Sequence, residues 1–326
     1  MKTIYLVLPC YNEEAVLEDS ANKLEKLLAE LIDEHKIDAG SRIVFVNDGS
    51  TDNTWKLLKE FCNRNVLFGA ISLAHNRGHQ NALLAGMMAV KDECDAVITL
   101  DADLQHDIYA IPEFISKFEE GYEIVYGVRK TRGDEGVFKR YSGNMFYDLM
   151  HLLGADVIKN HADYRLMSSR AIDALSRYDE VNLFLRGIIS QLGFKHITLE
   201  YEEKPRLAGE SKYSLKKMLK LASDGITSFS IRPLQLISVM GIIFFILSIV
   251  MFIYAVVVYA QNGTVPGWTS IVAPIWLLGG IQLLALGVVG EYIGKIYMES
   301  KHRPKYEIEE MILKNKEEIV HDKVNE

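Results

Sequence analysis

The first half of the chain alternates short apolar runs with helix-like patterns of leucine and other apolar residues. Five runs are rich in β-branched or aliphatic residues, and apolar positions at helical spacing separate the first four. The runs are Ile4 to Leu8, Ile43 to Val46, Leu67 to Leu73, Ala96 to Leu100 and Glu123 to Tyr126. This alternation predicts an α/β domain whose sheet is mainly parallel and doubly wound.

Polar residues directly follow the first four predicted strands. In open α/β sheets the ligand site lies at the carboxyl ends of the strands, where the loops meet. We therefore expect one group of polar side chains to gather at this edge of the sheet. Its members are Asn12, Asp48, Asn76, Asp101 and Asp103.

Two long apolar stretches occupy the C-terminal part of the chain. The first, 233–260, is an uncharged run of about 28 residues, and the second runs from about 271 to 293. Both are long enough for transmembrane helices. Because lysine and arginine residues flank the pair while the linker between them is uncharged, we expect both flanks to face the cytoplasm. The chain is thus predicted to be a multi-pass protein of the cell membrane, with both termini cytoplasmic.

The region before the first apolar stretch has lysines on one helical face and apolar residues on the other. This pattern predicts an amphipathic helix at the membrane interface, with a buried helix of a soluble domain as the alternative. The predicted division is a catalytic domain at 1–213, the amphipathic helix at 214–232, two transmembrane helices at 233–295 and a charged cytoplasmic tail at 296–326. Two interpretations stay open for residues 307–326, a helix between protomers and disorder.

Net charge and cysteine usage exclude some classes of protein. The formal charge of −8 argues against a general nucleic-acid-binding surface, which needs excess positive charge. The three cysteines lie far apart with no paired spacing, so neither a disulfide framework nor a zinc site is expected. The chain starts without the apolar segment of a secretory signal, which agrees with a cytosolic N-terminal domain.

An acidic motif follows the fourth predicted strand. Two carboxylates one residue apart, Asp101 and Asp103, can share a hard cation that also binds a diphosphate, and Gln105 can add a neutral oxygen ligand. Alone, such a motif is usually a solvated acidic turn. Three more polar loops in the expected order make a ligand site the better interpretation.

The polar loops belong to five distinctive segments, VLPCYNEE at 7–14, FVNDGSTD at 45–52, DADLQ at 101–105, HADYRLM at 161–167 and RLAGESKY at 206–213. Taken together, these segments resemble glycosyltransferase family 2, in its polyprenyl-phosphate branch. The resemblance implies the GT-A nucleotide-sugar-binding fold and inverting transfer of a hexose, from UDP-glucose or a related UDP-hexose, to a lipid such as undecaprenyl phosphate. The product would be a lipid-linked sugar for cell-envelope glycosylation. It also implies a homo-oligomer, namely a tetramer.

The same resemblance assigns roles to individual residues. Tyr11 would offer an aromatic face to the nucleoside, and Asp48 would accept a hydrogen bond from the base. Asp163 would orient the acceptor or a sugar hydroxyl, or act as a base, with Arg165 holding Asp163 or a phosphate. The nucleotide-sugar residues implied are Pro9, Tyr11, Asn12, Glu13, Asp48, Asp101 and Asp103. The implied ligands of Mg²⁺ or Mn²⁺ are Asp101, Asp103 and Gln105.

The acceptor phosphate needs positive charge near the anionic donor. A phosphate monoester is largely dianionic at neutral pH because its second pKa is about 6, so it scarcely needs a base. Arginine, lysine and serine side chains can bind it, although each arginine taken alone could be a solvated surface residue. The predicted acceptor-phosphate residues are Arg129, Arg132, Arg140, Arg206, Ser211 and Lys212.

Other functions fit the sequence less well. A processive polysaccharide synthase would carry a QxxRW motif and more membrane spans, and a nicotinamide dehydrogenase would carry GxGxxG after its first strand. A catalytically silent membrane scaffold and a transferase that uses GDP-mannose stay open. Tyr164 stands where many relatives have phenylalanine, which leaves the identity of the sugar open.

Overall fold

The computed structural model describes residues 1–130, 161–180, 184–202, 232–260 and 268–313. These residues fall into two compact units. The first unit holds the described residues up to 202 together with 303–313, and the second holds those from 232 to 302.

An eight-stranded mixed sheet forms the centre of the first unit. The strands are β1 Ile4–Cys10, β2 Arg42–Asn47, β3 Phe68–Leu73, β4 Ala96–Thr99, β5 Ile124–Arg129, β6 His161–Ser168, β7 His196–Tyr201 and β8 Ile308–Ile312. Their spatial order is β7-β5-β6-β4-β1-β2-β3-β8. Strands β1 to β4 are mutually parallel where they pair, β6 is antiparallel to β4 and β5, β7 is parallel to β5, and β8 is antiparallel to β3. The predicted α/β fold with a mainly parallel sheet is confirmed, and it is GT-A-like.

Helices cover the sheet, and the apolar stripes of the sequence set their orientation. In the first helix Leu17, Leu24, Leu28 and Leu31 are buried against the strands, as their spacing predicts. The helices of this unit are α1 Glu14–Asp33, α2 Thr54–Arg64, α3 His79–Val90, the 3₁₀ turn Ile108–Ala110, α4 Ile111–Glu119, α5 Ser169–Leu175 and α6 Leu185–Gln191.

Helix α3 lies very close to the centre of the sheet. Its Gly86 has no side chain, and a Cβ there would lie 2.5 Å from Val7 Cγ1 and 2.7 Å from Val46 Cγ2. This close approach brings the first turn of α3 to the carboxyl ends of the central strands, where the candidate site lies.

The described part of the C-terminal tail departs from both interpretations that the sequence left open for 307–326, whereas 314–326 lie outside the described residues. Residues Ile308–Ile312 form β8, neither a helix nor a disordered segment, and pair along the edge of β3. Glu310 Oε2 accepts hydrogen bonds from Lys59 Nζ at 2.9 Å and Trp55 Nε1 at 3.3 Å. Pairing with an open strand edge is a tertiary effect that the local charge pattern of the tail does not reveal.

The second unit contains two long helices that contact each other, α7 Arg232–Ala260 and α8 Trp268–Ser300. Both apolar stretches are therefore helical, as predicted. Among the described residues, one segment, Leu277–Ser300, is long and apolar enough to cross a membrane, whereas the apolar segment in α7, Leu234–Leu247, is shorter. Two membrane spans thus stay a prediction. The predicted amphipathic helix falls, apart from Arg232, outside the described residues.

Candidate active site

The loops after β1 and β2 are tied together by their own side chains. Asn12 adopts a left-handed backbone conformation with φ of 54°, and its Oδ1 accepts a hydrogen bond of 2.8 Å from the Thr51 amide. The amide of Glu13 donates to Thr54 Oγ1 at 3.0 Å, and Glu14 Oε2 accepts from the Asn53 amide at 2.8 Å. Asn12 and Glu13 therefore help to shape the loop, and their contact with a nucleotide stays a prediction.

Tyr11 and Asp48 differ sharply in accessibility. The Tyr11 side chain is exposed beside the loop, whereas Pro9 is buried within β1. Asp48 is buried, and its two carboxylate oxygens accept hydrogen bonds from the amides of Arg77 at 2.7 Å and Gly78 at 2.9 Å. Burial raises the pKa of Asp48 despite these bonds. Asp48 thus fixes the loop after β3, and its predicted contact with the base would use its remaining lone pairs.

Two histidines flank the carboxylate of Asp101, which follows β4. His79 Nε2 lies 2.9 Å from Asp101 Oδ1, and His106 Nε2 lies 3.7 Å from Oδ2. Burial and hydrogen bonding shift the pKa values of Asp101 and His79 in opposite directions. Burial alone would raise the pKa of Asp101, but its hydrogen bond with His79 outweighs burial, so the pKa is lowered. Burial alone would lower the pKa of His79, but the same hydrogen bond outweighs it, so the pKa is raised. Burial lowers the pKa of His106, which favours its neutral form.

The predicted metal ligands lie on the loop after β4 and supply oxygen donors. Asp103 is half-buried, and its Oδ1 accepts a hydrogen bond of 3.2 Å from the Gln105 amide. Gln105 is buried, and its Nε2 has no hydrogen-bond partner among the residues that the structure describes. Within the described part of the chain, no three His, Cys, Asp or Glu side chains converge as a metal cluster. Two carboxylates fit a Mg²⁺ or Mn²⁺ ion that completes its coordination with substrate phosphates and water.

Two guanidinium groups hold the buried carboxylate of Asp163, on β6. Arg165 Nη2 donates to Asp163 Oδ1, while Arg186 donates from Nε to Oδ1 at 3.2 Å and from Nη2 to Oδ2 at 2.9 Å. The Asp163 and Arg165 side chains are only 11% and 2% exposed. Burial alone would raise the pKa of Asp163, but the charges of Arg186 and Arg165 outweigh it and hold that pKa well below its usual range. The sequence left open whether Arg165 holds Asp163 or a phosphate, and in the structure Arg165 contacts Asp163.

His79 joins the two acidic centres. Its Nδ1 lies 3.9 Å from Asp163 Oδ2, while its Nε2 contacts Asp101. The structure therefore brings together Asp101, predicted as a donor-side residue, and Asp163, predicted as a catalytic residue, through a side chain at the start of α3.

Sequence reasoning missed the roles of His79 and Arg186. Nothing in the sequence around His79 distinguishes it from a histidine at the protein surface. Arg186 stands alone in the apolar segment 183–189, and a lone charge in such a segment indicates a buried partner. That signal could have found Arg186, although not its partner.

The predicted acceptor residues are only partly described. Arg129 ends β5 with an exposed side chain, and its charge contributes, after burial, to the lowered pKa of His106. The others lie outside the described residues, and their roles stay predictions. They are Arg132, Arg140, Arg206, Ser211 and Lys212.

The fold and these loops are those of a glycosyltransferase, and residues 5–192 match the family described as glycosyl transferase family 2. The chain belongs to this family. Residues 232–296 match a second family, the GtrB C-terminal hairpin. The matched segment includes all of α7 and most of α8.

Several curated proteins are similar over nearly the whole chain. An uncharacterized glycosyltransferase of Bacillus subtilis, YkoT, is 47% identical over 93% of this chain and 90% of its own length. The bactoprenol glucosyl transferase of Shigella phage SfV is 36% identical over 97% of this chain and 99% of its own. A prophage bactoprenol glucosyl transferase homolog of Escherichia coli is 35% identical over 93% of this chain and 97% of its own length.

Solved structures are more distant. Glucosyl-3-phosphoglycerate synthase from Mycobacterium tuberculosis, in complex with Mn²⁺, UDP-glucose and phosphoglyceric acid, is 17% identical with a TM-score of 0.42. The match covers 69% of this chain and 78% of the synthase chain. A likeness this weak carries no inference about this chain.

Proposed function

We propose that this glycosyltransferase moves a hexose from a nucleotide-sugar, UDP-glucose or a related UDP-hexose, to a polyprenyl phosphate such as undecaprenyl phosphate. The reaction proceeds with inversion at the sugar and yields a lipid-linked sugar for cell-envelope glycosylation. The observation that carries the proposal is the joint match to the family 2 domain and the hairpin, in one chain that is collinear with bactoprenol glucosyl transferases.

The helical hairpin supports a lipid acceptor. Polyprenyl chains reside in the bilayer, and α8 carries a segment that can span it. We propose that α7 is the second span, which returns the chain to the side on which it started. Because β8 follows α8 and belongs to the same sheet as β1, the catalytic unit is then on one side of the membrane, which the flanking lysines and arginines indicate is the cytoplasm.

The chemistry is a substitution at the anomeric carbon. An oxygen of the acceptor phosphate forms a bond to C1 of the sugar, and the bond from C1 to the donor's phosphate oxygen breaks, so the nucleoside diphosphate leaves with the electron pair. A phosphate dianion is already deprotonated at neutral pH, so no proton has to be removed. The lowered pKa of Asp163 makes this carboxylate a weak base, which supports a role in positioning.

The candidate site offers groups for both substrates. Tyr11 presents an exposed ring on which a nucleobase can stack, and Asp101 and Asp103 lie where the donor's diphosphate is expected. A bound Mg²⁺ or Mn²⁺ would neutralise the charge that develops on the departing diphosphate. Arg129 supplies positive charge near the same loops for the acceptor phosphate.

A donor screen tests the proposal. Membranes that contain the protein would be incubated with undecaprenyl phosphate and radiolabelled UDP-glucose, UDP-N-acetylglucosamine or GDP-mannose, and label extracted into organic solvent would be counted. We expect lipid-soluble label from a UDP-sugar. Label from GDP-mannose alone would correct the donor, whereas no lipid-soluble label from any donor would support the silent scaffold and overturn the proposal.

A further inference from the structure

Asp163 forms ion pairs with Arg165 and Arg186. Of these three side chains, that of Arg186 is the most exposed. Its side chain is 32% exposed, against 11% for Asp163 and 2% for Arg165. Arg186 is therefore partly accessible to solvent, whereas the carboxylate that it contacts is buried.

Asp163 holds Arg186 without enclosing it. Arg165, almost fully buried, already matches the single negative charge of the carboxylate. Arg186 donates to the same carboxylate through Nε and Nη2, and its side chain stays 32% exposed. A guanidinium group matches a phosphate in shape and hydrogen bonding, so a partly exposed arginine beside this site suits an anionic group of a substrate.

The position of Arg186 is fixed from the donor side of the site. The amide of Leu185, at the start of α6, donates to Gln80 Oε1 at 3.0 Å. Gln80 is the neighbour of His79, which contacts Asp101. The first turn of α3 thus orients both the acidic motif and the helix that carries Arg186.

We propose that Arg186 contacts a phosphate group of a substrate, either the diphosphate of the nucleotide-sugar or the phosphate of the lipid acceptor, while Asp163 holds its guanidinium group in place. This inference rests on the proposed function. It adds to the predicted phosphate-binding residues one that lies on α6, outside the segments that the sequence motifs singled out.

Steady-state kinetics of the full chain in detergent tests the inference. Arg186→Gln removes the charge, and Arg186→Lys keeps the charge but not the forked geometry. A charge-assisted hydrogen bond corresponds to a change of about 10- to 100-fold in binding. We expect Arg186→Gln to raise one KM by that factor with kcat changed less than about threefold, and Arg186→Lys to recover part of the loss.

The two arms of the experiment distinguish the phosphates. A raised KM for the nucleotide-sugar, with weaker binding of UDP by calorimetry, assigns Arg186 to the donor. A raised KM for undecaprenyl phosphate with unchanged UDP binding assigns it to the acceptor. Arg177→Gln is the matched control, since Arg177 is an exposed arginine paired with Asp173, and it should behave as wild type.

Failure of this inference is distinguishable from failure of the proposed function. If the wild-type protein forms no lipid-linked sugar, the proposed function fails, and UDP binding still tests Arg186. If the wild type is active and kcat, both KM values and UDP binding all stay within about twofold of the wild type in both variants, Arg186 does not contact phosphate.

Discussion

Replacing Asp163 by asparagine tests whether the buried carboxylate supports its two arginines. An asparagine side chain is nearly the same size as aspartate and keeps one oxygen acceptor, so packing is preserved while the charge is lost. Arg165 then stays buried with no carboxylate partner, whereas Arg186 is partly exposed and can turn toward water.

The expected magnitude follows from this difference between the two arginines. Breaking a buried ion pair by removing one partner costs about 3–5 kcal/mol. Since only Arg165 is stranded and the asparagine oxygen still accepts a hydrogen bond, we expect the lower end, about 3 kcal/mol in the free energy of unfolding. For a unit of this size, 1 kcal/mol corresponds to about 2–4 °C, so Tm should fall by roughly 6–12 °C.

Thermal unfolding of the full chain in detergent, followed by intrinsic fluorescence with chelator present, measures this shift. The folded-state pKa of Asp163 lies below its unfolded value, so its stabilisation is present above the unfolded pKa of about 3.9 and is lost as pH falls through the folded pKa. The difference in Tm between wild type and Asp163→Asn should therefore persist from about pH 8 to pH 5 and shrink only below about pH 4. It should increase where His79 becomes protonated, because the charge of Asp163 contributes to the raised pKa of that histidine.

Asp173→Asn provides a matched control, because Asp173 also pairs with two cationic side chains, Lys91 and Arg177, but at the surface. Exposed pairs contribute little, so this variant should unfold like the wild type. Equal Tm values for Asp163→Asn and wild type at pH 7 would refute the argument that Asp163 is an essential buried counter-charge.

Three further predictions concern the metal motif, the packing of α3 and the C-terminal strand. Asp103→Asn should abolish metal-dependent transfer while leaving Tm unchanged, and activity of the wild type in excess EDTA would contradict this role. Gly86→Ala should destabilise the first unit by about 1–3 kcal/mol, because its methyl group would overlap the valines beneath α3. Gly290→Ala is the control, because a Cβ there would meet no atom of the described residues within 4 Å. Truncation before Ile308–Ile312 should lower Tm and promote aggregation on size-exclusion chromatography, because it exposes the edge of β3; an unchanged elution profile and Tm would show that β8 is dispensable.

Local sequence patterns predicted the central part of the fold. The strands from β1 to β5 are apolar runs at the expected positions, and Leu17 to Leu31 face the core, because burial selects for these periodic patterns. Strand β6 coincides with a motif that was read for its chemistry, and β8 forms by pairing with a distant edge. The alternation of Ala162, Tyr164 and Leu166 with Asp163 and Arg165 is a strand pattern that the chemical interpretation of the motif passed over, whereas the charged segment of β8 has no such pattern.

The sequence predicted the short motifs of the candidate site, but it did not predict the contacts between residues that are distant in the chain. The acidic motif at the end of β4 and the pairing of Arg165 with Asp163 follow from short-range sequence. The contacts of His79 and Arg186 with Asp163 join residues far apart in the chain, and a single sequence taken by itself contains no signal for such pairs. Similarly, the contacts of Asp48 with the loop after β3 required the folded structure.

The central claim is that the phosphate of a polyprenyl lipid is the nucleophile. Purified full-length protein with the best labelled donor and Mg²⁺ or Mn²⁺ would be given either undecaprenyl phosphate or undecaprenol, which has the same chain but no phosphate, and the lipid-linked label would be measured. We predict label only with undecaprenyl phosphate, at a rate that is unchanged between about pH 7 and pH 8, where the phosphate is already a dianion. Equal label with undecaprenol, or none with undecaprenyl phosphate, would contradict the claim.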